Sequence, residues 1–507
     1  MDYRCGNNFL QQEFISDAYV PGAALCKTNN YKKNITSTLS IPIDYSPKAR
    51  LSRHKAPRLA NQLQVCCGNT VRDNALYSTI HQYDLVVHTP EFIDQPDTTQ
   101  YFGAKGLLRQ ANPDLVQLTY HSPLDIPINL INIPATGSGR YYFKYTRDWV
   151  FSLKEKWKLK GTNGNPIKVF EISPGVYTEG VNQATGANFF IPQFLYDRIL
   201  KYDIVDGVYW DWCGTNISWL SNQSFNSGNP IDMNQDGIAE SNSVVDAQWR
   251  AGLLQLYKNM EALLPAGSIQ MGNFGYGGFS DTYMPYIHGG MMEQFLQGPT
   301  ATPGYYTWDQ QMRCYSYSCI NGLQPTTSFL QYTDDTPDDF SVYPKVRFAL
   351  ASALMFDGYF SYTNLSGAYA ENRWIDEFAV NIRDGRSTTN LNHKGWLGAA
   401  LTNAYAVTDS SKDLYTVLWS GLTNVIQGTN GGNAPSGSYA QKEASNYVWR
   451  RDYENGIVLL NPKSTSQTIN LESNFWKIRG LYDRDFNDGS RLNSVTLGHW
   501  EGIILLR

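Results

Sequence analysis

Asp206-Gly207-Val208-Tyr209-Trp210-Asp211 is a strand-length run with a β-branched and aromatic centre and an acid at each end. Upstream, Phe189 to Tyr202 repeats apolar residues at helical spacing (Phe190, Phe194, Leu195, Ile199). Downstream, Val244 to Leu264 reads as a long helix burying Trp249, Leu253, Leu256 and Met260. It leads into a second strand-length run, Ser268-Ile269-Gln270-Met271-Gly272-Asn273. Short apolar runs that alternate with amphipathic stretches are the pattern of parallel strands joined by helices.

The rhythm extends both ways. Tyr83–His88, Leu115–Tyr120 and Val169–Ser173 are read as strands one to three, with Asp206–Asp211 the fourth and Ser268–Asn273 the fifth. Gly290–Phe295, Ser328–Tyr332 and Asp357–Tyr362 complete eight. Eight such units predict a (β/α)8 TIM barrel over residues 81–395. A doubly wound sheet is the rival, but no G-x-G-x-x-G follows the first strand and no phosphate-binding loop occurs. Residues 1–80 are polar and aperiodic, an N-terminal extension of unknown role. Past residue 395 the helical pattern stops. Leu414–Trp419, Asn446–Arg451, Gly456–Asn461, Gln467–Leu471 and Gly502–Leu506 are short β runs, predicting a C-terminal antiparallel β-sandwich over 396–507.

The 507 residues carry a net charge of −5, with 17% charged and 14% aromatic residues. Without a basic block, nucleic acid is a poor partner. No apolar run reaches the roughly 18 residues of a membrane span. The start, Met1-Asp2-Tyr3-Arg4-Cys5-Gly6, lacks a charged-then-apolar pattern, so no secretory signal is expected. The seven cysteines form no zinc-type pairs and are read mainly as buried thiols, with a Cys314–Cys319 disulfide left open. A polar, aromatic-rich, weakly charged chain suits a large folded protein that handles neutral polar ligands such as sugars.

Barrel active sites lie at the C-terminal ends of the strands. Asp211 ends strand four and Glu293 strand six. Glycosidic hydrolysis needs two carboxyl groups, one protonating the leaving oxygen and one attacking the sugar or activating water. Asp211 and Glu293 are therefore the expected catalytic pair. Trp210 and Trp212 are expected to stack on sugar, with Glu171 and Asp334 as further substrate contacts beside the neighbouring Asp335. An acid at a strand end is also often a helix cap or an ion-pair partner. His88, His121 and His288 lie near strand ends and could contact substrate, with satisfied core or surface histidines the favoured reading.

Asp232-Met233-Asn234-Gln235-Asp236-Gly237-Ile238-Ala239-Glu240 has calcium-loop spacing. Oxygen ligands stand at positions 1, 3 and 5 (Asp232, Asn234, Asp236), Gly237 at 6, the Ile238 carbonyl at 7 and Glu240 at 9. Position 12 is Ser243 rather than Glu, so other ligands, with Asp246 a candidate, would complete a structural Ca2+ site. The competing reading is a solvated Asx-rich turn.

Together these segments resemble hypothetical glycosyl hydrolase family fifteen, whose strand-four segment reads YDGVFxD. More distantly they resemble barrels of the α-galactosidase and α-1,4-polygalactosaminidase type. The likeness includes Tyr83–Val87, Asn112-Pro113, Asp206–Asp211, Met292-Glu293, Arg347–Ala351, Asp357–Phe360, Trp374–Phe378 and Trp449–Gly456 with Asn461-Pro462. It implies Asp211 as nucleophile or base, Glu293 as general acid/base, and Asp376 and Glu377 framing the pocket. Trp210 and Trp212 beside the strand-four acid depart from that segment and imply a different subsite shape.

The expectation is a glycoside hydrolase acting on a polysaccharide or cell-surface glycan, in the setting of a phage-tail depolymerase with other virion proteins or a homo-oligomer as partners. The alternative is an inactive barrel serving as a virion-structural or glycan-binding module.

Overall fold

The computed structural model describes residues 44–63, 80–93, 106–125, 144–170, 173–174, 186–274, 281–296, 307–334, 342–363, 373–420 and 443–507. Eight parallel strands form one sheet: β1 (Ala60–Leu63), β2 (Leu85–His88), β3 (Val116–His121), β4 (Gly207–Trp210), β5 (Ile269–Asn273), β6 (Gly290–Met292), β7 (Phe329–Thr333) and β8 (Tyr359–Thr363). The sheet closes on itself through a parallel bridge between Leu59 and Phe360, in which the Phe360 N–H donates to the Arg58 carbonyl. The chain is a (β/α)8 barrel, as its alternation predicts.

The count of eight agrees while its membership does not. Val169–Ser173 is no stave: Lys168–Phe170 pairs antiparallel with Ser173–Pro174 in a small hairpin outside the barrel. The first stave is β1, inside the stretch read as an N-terminal extension, and it pairs with β2 from Ala60↔Leu85 to Leu63↔His88. Its four residues, Ala-Asn-Gln-Leu, carry no apolar run or alternation to announce a strand. The barrel makes it one by giving its backbone partners on both edges.

Alternation sorts the barrel residues into two cores. Leu85, Val87, Val116, Leu118, Tyr209, Ile269, Met271, Met291, Phe329 and Tyr359 fill the interior as one buried cluster. Their strand neighbours Val86, Val208, Trp210, Met292, Leu330 and Phe360 face outward to the helices. That layer includes α2 (Ala187–Arg198), α3 (Asn242–Leu263), α4 (Trp308–Asn321) and α5 (Tyr343–Leu354), whereas α1 (Pro47–Arg53) places Leu51 in the interior cluster. Gly207 lets β4 lie against β5, since a Cβ there would stand 1.9 Å from the Ile269 carbonyl oxygen. Cys314 and Cys319 are buried reduced thiols on α4, so the disulfide left open by the sequence does not form.

The C-terminal β domain is a seven-stranded antiparallel sheet: β9 (Tyr405–Ala406), β10 (Asp409–Asp413), β11 (Trp449–Asp452), β12 (Gly456–Asn461), β13 (Gln467–Trp476), β14 (Arg491–Leu497) and β15 (Glu501–Leu506). The β13–β14 hairpin shifts register between Asn470 and Phe475 and pairs with β15 at Trp476↔Leu506. It thereby folds over the rest, and Ile469, Phe475, Val495 and Leu497 meet Ile457, Leu459, Ile503 and Leu505 in a separate core. The opposite face (Val458, Leu460, Ile504, Leu506) joins the barrel's outer core. Buried on both faces, β12 reads as a continuous apolar run rather than an alternating one. Close approach to α5 depends on Gly502, where a Cβ would lie 2.6 Å from Ala351 Cβ.

Candidate active site

Four adjacent staves send side chains of one parity to the C-terminal mouth. Inward positions on β3 run Val116, Leu118, Tyr120; β4 runs through Tyr209 to Asp211; β5 through Ile269 and Met271 to Asn273; β6 through Met291 to Glu293. Backbone bonds set the depth. Asp211 N–H donates to the His121 carbonyl (2.8 Å), and Cys213 N–H donates to the Asn273 carbonyl (3.0 Å).

The side chains then converge. The Tyr120 hydroxyl donates to Asp211 Oδ2 at 2.6 Å. Asn273 Nδ2 donates to Asp211 Oδ1 at 2.7 Å and to Glu293 Oε2 at 3.1 Å. An amide nitrogen carries two N–H bonds about 120° apart. Because one nitrogen bonds both acids, Asp211 Oδ1 and Glu293 Oε2 lie less than about 6 Å apart.

Burial pushes the Asp211 carboxyl up, while hydrogen bonds from Tyr120, Asn273 and the Trp212 N–H pull it back toward the ionised form. Burial and the Asp211 charge together push the Tyr120 hydroxyl far above its ordinary value, so it stays a donor. Both acids are followed by a non-glycine residue in the left-handed region: Trp212 at φ 52° and Gln294 at φ 48°. Such conformations cost about 1–3 kcal/mol each and persist where the surroundings dictate them, often at functional sites.

Sequence reasoning passed over three residues at this mouth. Asn273 and Tyr120 carry no charge and were not sought, although their strand parity was readable. The third, Asp125, follows β3, and burial raises its carboxyl to about 6, with the Asp211 charge adding to the effect.

One other expected contact is turned away from the mouth. Trp210 faces outward, fully buried between barrel and helices, with Nε1–H donating to Gln270 Oε1 at 3.1 Å. It cannot stack on a sugar: neighbours in a strand point to opposite faces, so Trp210 is outside because Asp211 is inside. Trp212 is partly buried and stacks on Trp219 at 6.0 Å. Asp334, just beyond β7, receives Arg373 Nη1–H at 3.3 Å and the Tyr362 hydroxyl at 3.4 Å. Glu171 and Asp335 lie outside the described residues.

Asp376 and Glu377 do not frame the pocket; they brace the barrel against the β domain. Asp376 is buried and accepts the N–H groups of Leu481 (2.6 Å), Tyr482 (3.1 Å) and Asp483 (2.9 Å). Glu377 accepts Asn487 Nδ2–H at 3.0 Å, and burial pushes its carboxyl up against the pull of Arg347. His88, His121 and His288 are buried, and desolvation lowers them to about 3, 3 and 4. Their ring nitrogens meet Gln117 Oε1, the Tyr145 hydroxyl and the Gln270 N–H, as core histidines do.

The Asp232–Glu240 loop turns its oxygens onto its own backbone. Asp232 accepts the N–H groups of Asp236 (3.2 Å) and Gly237 (2.7 Å), Asn234 Oδ1 accepts Asp236 N–H (2.9 Å), and Asp236 accepts Ile238 N–H (2.8 Å). Glu240 Oε2 accepts Met233 N–H at 2.7 Å. Asp246 accepts the Ile217 and Ser218 N–H groups instead of joining the loop. No three acidic, His or Cys side chains among the described residues gather as a metal site. As arranged, the donor set fits an Asx-rich turn better than a cation cage.

A family model described as hypothetical glycosyl hydrolase family 15 matches residues 112–457, more than half of the chain. The chain belongs to that family. The matched span contains Tyr120, Asp125, Asp211, Asn273 and Glu293. No curated protein matches the sequence. Among solved structures, a GH36 α-galactosidase from Geobacillus stearothermophilus in complex with stachyose overlaps at TM-score 0.37 and 9% identity, covering 89% of this chain and 55% of that one. The chain thus spans little more than half that enzyme's length. A family 39 glycoside hydrolase from Bacteroides cellulosilyticus overlaps at TM-score 0.34 and 11% identity, covering 89% of this chain and 81% of the other. An endo-β-N-acetylglucosaminidase from Cordyceps militaris gives TM-score 0.30 at 8% identity, over 62% of this chain and 85% of that one. These overlaps are too loose to transfer residue roles.

Proposed function

We propose that this family member is a retaining O-glycoside hydrolase with Asp211 as nucleophile and Glu293 as general acid/base. The observation that carries the reading is the Asn273 amide shared by both carboxyl groups at the barrel mouth. Carboxyl groups about 5–5.5 Å apart suit direct attack, whereas 6.5–9.5 Å leaves room for a water. Asp211 attacks the anomeric carbon as Glu293 delivers its proton to the leaving oxygen. Water, deprotonated by Glu293, then releases the sugar from Asp211. Tyr120 and Asn273 hold Asp211 in register and favour its ionised form.

The substrate is a polysaccharide, and a depolymerase of bacterial surface glycans is the setting in which to look for it. The test is proton NMR of the first product formed from purified capsular polysaccharide or an activated aryl glycoside. Retention of anomeric configuration supports the proposal; net inversion rejects the nucleophile role of Asp211. Glycan binding without product release, unchanged in Asp211→Asn and Glu293→Gln, supports the non-enzymatic module instead. Calcium at the Asp232–Glu240 loop rests on residue spacing alone, and no catalytic step is assigned to it. A Ca2+-dependent rise in melting temperature that Asp236→Asn abolishes supports it, and no rise dismisses it.

A further inference from the structure

Asp125 stands four residues beyond the end of β3, at the same barrel mouth as Asp211. The Ser122 hydroxyl oxygen accepts the Leu124 and Asp125 N–H groups, each at 3.3 Å, and so turns the chain just past the stave. The carboxyl lies near enough to Asp211 and Tyr120 for the charges to interact. Oδ1 is closed to water and has no hydrogen-bond partner among the described residues. A buried acceptor without a donor is costly, and a native protein keeps one where something else supplies the donor.

We propose that Asp125 is a substrate-binding residue whose Oδ1 accepts a hydrogen bond from a hydroxyl of the sugar that Asp211 attacks, and that it selects uncharged over acidic sugars. This rests on the placement of the sugar between Asp211 and Glu293. A hydroxyl supplies Oδ1 with the donor that the described residues do not, and it does so only when the sugar is seated. A uronate would bring a further negative charge to a mouth holding Asp125, Asp211 and Glu293, with Arg373 already paired to Asp334 at 3.3 Å. Burial raises the Asp125 carboxyl to about 6 against the pull of the Ser122 hydroxyl, in keeping with an acid whose Oδ1 is left for the sugar.

The experiment measures binding, so it does not depend on turnover. Glucose, galactose, mannose, their N-acetylamino counterparts, glucuronate and galacturonate are titrated by NMR or calorimetry into the wild type, Asp125→Ala, Asp125→Asn, Asp211→Asn and Glu293→Gln. At least one neutral sugar is expected to bind and the uronates to bind at least tenfold more weakly. Asp125→Ala weakens the neutral sugar on the order of 10- to 100-fold, the worth of a hydrogen bond to a charged acceptor. Asp125→Asn, which keeps an acceptor oxygen, weakens it less. One monodeoxy analogue binds the wild type as weakly as its parent binds Asp125→Ala and loses nothing further in that variant.

Unchanged binding in a folded Asp125→Ala protein overturns the proposal. So does equal affinity for a uronate, or no binding by any neutral sugar. The hydrolase reading fails separately: hydrolysis unaffected by Asp211→Asn and Glu293→Gln removes it, while sugar binding lost in Asp125→Ala still upholds the role of Asp125.

Discussion

Asp211 and Glu293 hang on one nitrogen: Asn273 Nδ2 donates to the first at 2.7 Å and to the second at 3.1 Å. The arrangement ties two acids from β4 and the end of β6 to the stave between them, so their separation is set by a side chain on β5 rather than by loops.

Asp211→Asn and Glu293→Gln are isosteric and remove charge or proton transfer without emptying the site. Each is expected to lower kcat/KM on the order of 10⁴-fold with the melting temperature within a few degrees of wild type. Turnover above a tenth of wild type in either variant rejects the pair.

Asn273→Ala and Tyr120→Phe separate the two acids by pH. Loss of the Tyr120 hydroxyl removes a donor that favours ionised Asp211, so the acidic limb of the kcat/KM profile moves up by about one pH unit. Loss of the Asn273 amide withdraws a donor from both carboxyl groups and moves both limbs to higher pH. If Tyr120→Phe moves the alkaline limb alone, the assignment of roles is reversed.

Asp125 titrates near 6 in the folded chain against about 4 when unfolded. The folded state therefore holds the proton more tightly, and stability falls as pH rises from about 4 through 6. Asp125→Asn removes that loss: it raises the melting temperature at pH 8 relative to wild type, and the gain shrinks toward pH 4. A gain independent of pH contradicts the raised value.

Asp376 ties the 481–483 turn to the barrel through three backbone N–H groups. Asp376→Ala strands those donors in a buried joint, at a cost of about 3 kcal/mol. Urea unfolding at pH 7 is expected to show that loss, while kcat of the folded fraction stays within a few-fold of wild type. A selective loss of kcat with no change in stability would return Asp376 to the pocket.

Glycine position mattered as much as charge in assembling the mouth. Gly207 has the β5 backbone where its Cβ would be, so Gly207→Ala must separate β4 from β5 and with them Asp211 from Asn273.

The alternation of apolar runs with helical segments was enough to define a barrel and a C-terminal β domain, because burial on both faces makes parallel strands continuously apolar. It also set Asp211 and Glu293 at strand ends. Local pattern could not tell the short polar strand Ala60–Leu63 from a loop, nor Val169–Ser173 from a stave, since a stave is defined by neighbours far along the chain. The inward turn of Asp211 and the outward turn of Trp210 follow from a period of two, once strand boundaries are known to one residue. That Asp376 serves a turn more than a hundred residues away, and that one neutral amide joins two acids, only the folded chain decided: hydrogen bonds link whichever groups packing brings within 3 Å, and sequence distance does not enter that geometry.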